Sequence, residues 1–264
     1  MSSSGYGGGG GGFGLGIGPA STPQVIKDVM MVTAAAFLVQ SVLQLAFSAG
    51  NGGGHTAVIQ YGALWPEKFW SGMLWQPLTT LLLHGEVWHL VGNMFFLWMF
   101  GCPVAERLGR ERFLAFYVGA GVGCGLLNLV FALCVHSLGY DISLFPWDTP
   151  TIGASGAVFA VLTFYCFSWP DRTISLLFVP LTFTARWLLP LEFLMEFSSD
   201  AGPDKISHAA HLCGVAMGWL WFRSGGINPF APIFTSLRRF KSRRSSHLKV
   251  VGEDKEKDSG PVFH

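Results

Sequence analysis

Between Val29 and Ser48 the chain runs for 20 residues without a charged side chain. An α-helix rises about 1.5 Å per residue, so such a run matches the roughly 30 Å hydrocarbon core of a bilayer. Further apolar runs follow. The second covers about Thr79 to Val104 and holds His84, His89 and Asn93. The third, Phe113 to Leu138, is rich in glycine (Gly119, Gly121, Gly123, Gly125), which suits close contact between helices. The fourth opens at Gly153-Ala154-Ser155-Gly156 and stops before Pro170. A mid-membrane arginine is costly, so the stretch from Thr173 to Arg186 is expected at the interface, with a short fifth span from Trp187 to about Ser199. Pro180 and Pro190 suit broken or kinked geometry there. The sixth span is Ile206 to Phe222.

Charge supports the same architecture. The first 222 residues hold 20 of the 33 charged side chains, about 9% of that stretch against roughly 25% in an average soluble domain. Too few charges remain to cover a water-soluble surface of this size, which excludes an ordinary soluble enzyme. A net charge of +1 gives no support for a nucleic-acid partner. The expected fold is therefore an all-α integral membrane protein with six transmembrane helices, over residues 25–222. Residues 1–24 form a Gly/Ser-rich leader, expected to be flexible; it lacks the basic start and following apolar run of a secretory signal. Residues 223–264 form a basic tail expected to be disordered. The five cysteines lie in or beside apolar runs without paired short spacings and are expected as small buried hydrophobes.

Six spans put both termini on one side of the membrane. With that topology, 15 of the 17 basic residues fall on the side of the termini, and only Lys68 and Lys205 on the other. Excess Lys and Arg marks the cytoplasmic side. Both termini are expected there, with the loops before Gln76, Ser155 and His208 on the opposite face. Trp65, Phe69, Trp70 and Trp75 in the first loop are aromatics that favour the headgroup level.

Uncharged polar residues inside apolar spans are candidates for function. Ser155 opens a helix, where it is either a simple N-cap or a nucleophile beside exposed backbone N–H groups. His211 is either a buried neutral imidazole bonded to a neighbouring helix, or a general base that activates a serine hydroxyl. Gly214 and Gly218 form a small-xxx-small pair that lets its helix approach another closely. His89 and Asn93, at i and i+4, share one helix face; they are either interhelical polar glue or donors to a developing oxyanion. His84 points elsewhere or belongs to the loop junction. A zinc site fits poorly, because His84-Gly-Glu-Val-Trp-His89 misses the His-Glu-x-x-His spacing by one residue, and His208 and His211 lack a companion acid.

These elements together resemble the rhomboid family of intramembrane serine proteases. His84, His89 and Asn93 are similar to its His-x4-His-x3-Asn pattern. Gly153-Ala154-Ser155-Gly156 resembles its Gly-x-Ser-Gly motif, and Ala210-His211 with Gly214 and Gly218 its Ala-His-x2-Gly-x3-Gly pattern. Glu106-Arg107-Leu108-Gly109 resembles its charged turn. The resemblance implies a six-helix bundle with Ser155 as nucleophile, His211 as general base, and His89, Asn93 and the Ser155 N–H as the oxyanion hole. It implies that His84 braces the site and that Gly153 and Gly156 shape the turn. Phe159 falls where many members carry a tyrosine on the catalytic histidine. Trp75-Gln76 stands where many carry Trp-Arg. The implied reaction is endoproteolysis of single-span membrane proteins within the lipid bilayer, near the extracytoplasmic face. It needs no cofactor, metal or nucleic acid. The short fifth span and the loop 200–205 are implied as gate and cap. The alternative function is a non-proteolytic scaffold or chaperone that holds transmembrane clients.

Overall fold

The computed structural model describes residues 18–48, 57–140, 142, 144–175, 182–198 and 208–229. Among these the chain is mostly helical. The long helices are α1 (Gln24–Ser48), α5 (Val87–Leu108) and α6 (Arg110–Ser137), each long and apolar enough to cross a membrane. Three short helices, α2 (Ala57–Gly62), α3 (Pro66–Trp70) and α4 (Gln76–Thr79), lie between α1 and α5. Then come α7 (Ser155–Ser168), α8 (Leu188–Ser198) and α9 (His208–Arg223). Residues 1–17 of the expected leader, the loop 200–205 and the tail beyond residue 229 lie outside the described residues.

Beyond shifts of a few residues at helix ends, the structure differs from the sequence expectation in two places. The second apolar run is not one helix from Thr79. A 3-10 turn at Thr80–Leu82 and an extended Glu86 interrupt it, and the long helix begins at Val87. His84 therefore lies in the junction before α5. The interfacial stretch contains a small antiparallel hairpin, β1 (Thr173–Ser175) with β2 (Thr182–Thr184), so the fold is not purely helical. Hairpin pairing satisfies backbone polar groups that an irregular segment would leave open. Arg186 follows in a 3-10 turn and forms an ion pair with Asp171.

α7 is the central helix. Ten of its 14 residues are buried, on every side of the helix, as expected for a helix enclosed by others. It packs against α5, α6 and α9. Glycines set the closeness. A Cβ on Gly214 would lie 3.0 Å from Phe159 Cβ, and one on Gly218 2.8 Å from the Ala160 Cα. On the other flank, a Cβ on Gly121 would lie 3.1 Å from Ala157 Cβ. Packing in an apolar solvent comes from such contact, since lipid removes the hydrophobic drive between helices.

The outer helix α1 turns Met31, Val32, Leu38, Val39, Val42 and Leu45 outward. An apolar face of that extent suits hydrocarbon and not water. In the first loop, Trp70 and Trp75 are exposed. Phe69 instead is buried against Leu64 and Leu129, so it belongs to a satellite core. Gln76 is buried, and its Oε1 accepts the Trp65 backbone N–H at 3.0 Å, which ties the loop together at the position where the resemblance implies an arginine.

Candidate active site

Four elements meet around Ser155. α7 begins at Ser155 itself, two residues after Gly153, whose φ of 122° lies in the region open to glycine. The preceding loop is held by reciprocal backbone bonds between Leu64 and Thr151, 2.9 and 2.8 Å. Ser155 is half-buried.

Phe159 lies four residues on in α7, about 40° around the helix from Ser155. The His211 ring, from α9, stacks on Phe159 with centroids 4.1 Å apart and planes at 13°. His211 is 8% exposed. Its stacking partner thus places it on the Ser155 face of α7. The glycines explain how an imidazole comes so close. Gly156 and Gly214 face each other, and a Cβ on Gly214 would sit 3.1 Å from the Gly156 carbonyl carbon. Cys124 of α6 joins them, its thiol donating to the Ala210 carbonyl at 3.0 Å, one residue before His211. That role exceeds the buried hydrophobe expected for it, although all five cysteines are free and four are buried.

From the other side comes His89, in the first turn of α5. A Cβ built on Gly153 would lie 2.8 Å from His89 Cε1, 2.9 Å from His89 Nε2 and 3.8 Å from the Ser155 N. The His89 ring therefore lies against the turn that presents Ser155. Gly85 N–H points at His89 Nδ1 at 3.4 Å. A neutral imidazole has one acceptor and one donor nitrogen. With Nδ1 accepting, the proton belongs on Nε2, the nitrogen beside Gly153. Asn93, buried one turn later, donates through Nδ2 to the His89 carbonyl at 2.8 Å. An amide carries two N–H bonds, so one remains for another acceptor.

His84 is fully buried and packs edge-on against His89, with centroids 5.1 Å apart. Its backbone is clasped by Gln40 of α1, which donates through Nε2 to the His84 carbonyl at 2.6 Å and accepts the His84 N–H on Oε1 at 3.1 Å. Gln40 is 1% exposed. Sequence reasoning missed it. Its signal was an amide within an otherwise apolar span, the same signal that drew attention to Asn93. Among the described residues, no three His, Cys, Asp or Glu side chains group closely enough to hold a metal ion.

The profile of the Rhomboid domain matches residues 71–224, more than half of the chain. The chain belongs to the rhomboid family. It is 32% identical over 176 residues to the rat "Presenilin-associated rhomboid-like protein, mitochondrial", a match covering 65% of this chain and 43% of that protein. The human protein of the same name is 31% identical over 159 residues, 59% of this chain and 39% of its own length. "Rhomboid protein 1, mitochondrial" of Saccharomyces cerevisiae is 30% identical over 151 residues, 54% of this chain and 40% of its own. The matched rhomboid region thus corresponds to about two fifths of these curated relatives. It contains Ser155, His211, His89, Asn93 and His84.

Proposed function

We propose that this rhomboid is an intramembrane serine endopeptidase that cuts membrane proteins in or near their transmembrane segments. Ser155 is the nucleophile and His211 the general base. His89 Nε2–H, the Asn93 amide and the Ser155 backbone N–H take the charge of the tetrahedral intermediate. The observation that carries this is the stacking of His211 on Phe159, on the α7 face that also bears Ser155. A serine hydroxyl attacks well only when a neighbouring base accepts its proton. The imidazole then returns that proton to the leaving amine, and the acyl-enzyme is released by water.

The proposed architecture has six spans: α1, α5, α6, α7, α8 and α9. The 14 residues of α7 reach about 21 Å, short of a hydrocarbon core about 30 Å thick. Its far end is followed by exposed Arg172 beside Tyr165, anchored at the headgroups. Ser155, at the opposite end, then lies below the membrane surface and under the polar loops that admit water. Substrate is a single-span membrane protein entering sideways from the lipid. A helical peptide bond is shielded by its own hydrogen bonds, so helices weakened by Gly, Pro or small residues are cut best. Both termini lie on the basic, cytoplasmic-type face, and residues 25–222 form the protease domain, flanked by leader and tail.

Ser155→Ala should abolish cleavage of a single-span test substrate in detergent while the thermal unfolding profile stays that of wild type. Undiminished cleavage by this variant sinks the assignment. Asn93→Ala should slow cleavage by roughly 10²–10³-fold, the usual loss of one oxyanion donor. A fluorophosphonate that fails to label Ser155 in folded protein would point instead to a non-proteolytic scaffold.

A further inference from the structure

We propose that Thr80 is a positioning residue for the loop that presents Ser155; this rests on the protease assignment above. Thr80 opens the 3-10 turn between α4 and His84 and is 5% exposed. Its hydroxyl donates to the Thr151 carbonyl at 2.8 Å. Its own carbonyl accepts the Gly153 N–H at 3.1 Å. One residue thus holds the backbone on both sides of Ile152, two and four positions before Ser155.

The same carbonyl accepts the Leu83 N–H at 3.2 Å, which closes the turn leading to His84. His84 packs on His89, and His89 lies against Gly153. Thr80 therefore joins the nucleophile's loop to the segment carrying the oxyanion donors. A shift on one side of this clamp changes the separation of Ser155 from His89. Misplacement of reacting groups by about 1 Å can cost roughly 100-fold in rate.

Loss of the hydroxyl alone leaves no orphaned group. Thr151 keeps the Leu64 N–H on its carbonyl, and the bonds to the Thr80 backbone carbonyl do not depend on the side chain. The fold should tolerate valine, which has nearly the shape of threonine. What is lost is the registry of the loop.

The test compares wild type, Ser155→Ala, Thr80→Val and Thr80→Ser in detergent. The probe is a fluorescent single-span substrate with a Gly-Ala pair in its helix. Thr80→Val should lower kcat about tenfold or more, with KM within about twofold of wild type and an unchanged thermal midpoint. Peptides covering residues 150–154 should exchange hydrogen faster. Thr80→Ser, which restores the hydroxyl, should recover both kcat and exchange protection. The inference is overturned if Thr80→Val turns over and exchanges like wild type, if Thr80→Ser is as impaired as Thr80→Val, or if Thr80→Val unfolds. Inactive wild type, or active Ser155→Ala, strikes at the protease assignment instead, and the exchange comparison still decides the clamp.

Discussion

Gly153 concentrates several demands at one residue. Its φ of 122° is one that side chains rarely adopt, and a Cβ would press on the His89 ring at 2.8 Å. Gly139 offers a comparison, since its φ of 74° is also positive but nothing lies within 4 Å of a built Cβ. Gly139→Ala should cost only left-handed strain, about 1–2 kcal/mol. Gly153→Ala adds displacement of His89 and should lose nearly all proteolysis. Parallel melting and cleavage assays separate the two: a Gly153→Ala enzyme that cuts as fast as Gly139→Ala would mean that His89 does not need its place. Phe159 is a second such residue. Tyrosine there should be accepted, because the stacking surface is kept. Alanine removes an aromatic contact with His211 that is worth about 0.5–1.5 kcal/mol beyond buried area, and kcat should fall with it.

At the scale of elements, the seam between α7 and α9 and the clasp from α1 each make a prediction. A Cβ on Gly218 would meet the Ala160 Cα and the Thr163 Cβ, both at 2.8 Å. Backbone cannot yield as a flexible side chain can, so Gly218→Val must separate the helices. Overpacking of this kind costs about 1–3 kcal/mol, and the thermal midpoint in detergent should drop, with activity lost as His211 moves away. Gln40→Leu leaves the His84 N–H and C=O unpaired, at about 1–3 kcal/mol for each; a midpoint equal to wild type would show that the clasp does not hold α1. Much of this scale was legible beforehand. The apolar runs located α1, α6, α7 and α9 closely, because a lipid-crossing helix needs length and low charge. The break before Val87 was not legible, because Leu81, Leu82 and Leu83 are as apolar as a helix interior. Their turn is settled by distant partners at Thr151 and Gly153. The β1–β2 hairpin was hidden because each strand is only three residues long, too short for an alternating pattern to show.

For the whole molecule the prediction concerns sidedness. Tags on both termini should be cut by protease added from one face. A thiol introduced as Glu67→Cys, with Cys134→Ser removing the exposed native thiol, should react with an impermeant reagent only from the other. Cleavage of the two tags from opposite faces would exclude an even number of spans, and reaction of the thiol from the same face as the N-terminal tag would mean that α1 does not cross. The bundle's outline follows from where the charges are absent, and its proposed orientation from where they cluster. The sequence by itself determined that the chain belongs with lipid, which residues are polar within its apolar runs, and which glycines permit contact. These are local properties, set by composition and by spacing along one helix. Only the tertiary structure decided that His211 stacks on Phe159, that His89 lies against Gly153, and that Gln40 and Thr80 tie these parts together. Those contacts join residues far apart in the chain. A buried amide or hydroxyl takes whichever partner the packing brings within reach, and no pattern along the sequence encodes that distance.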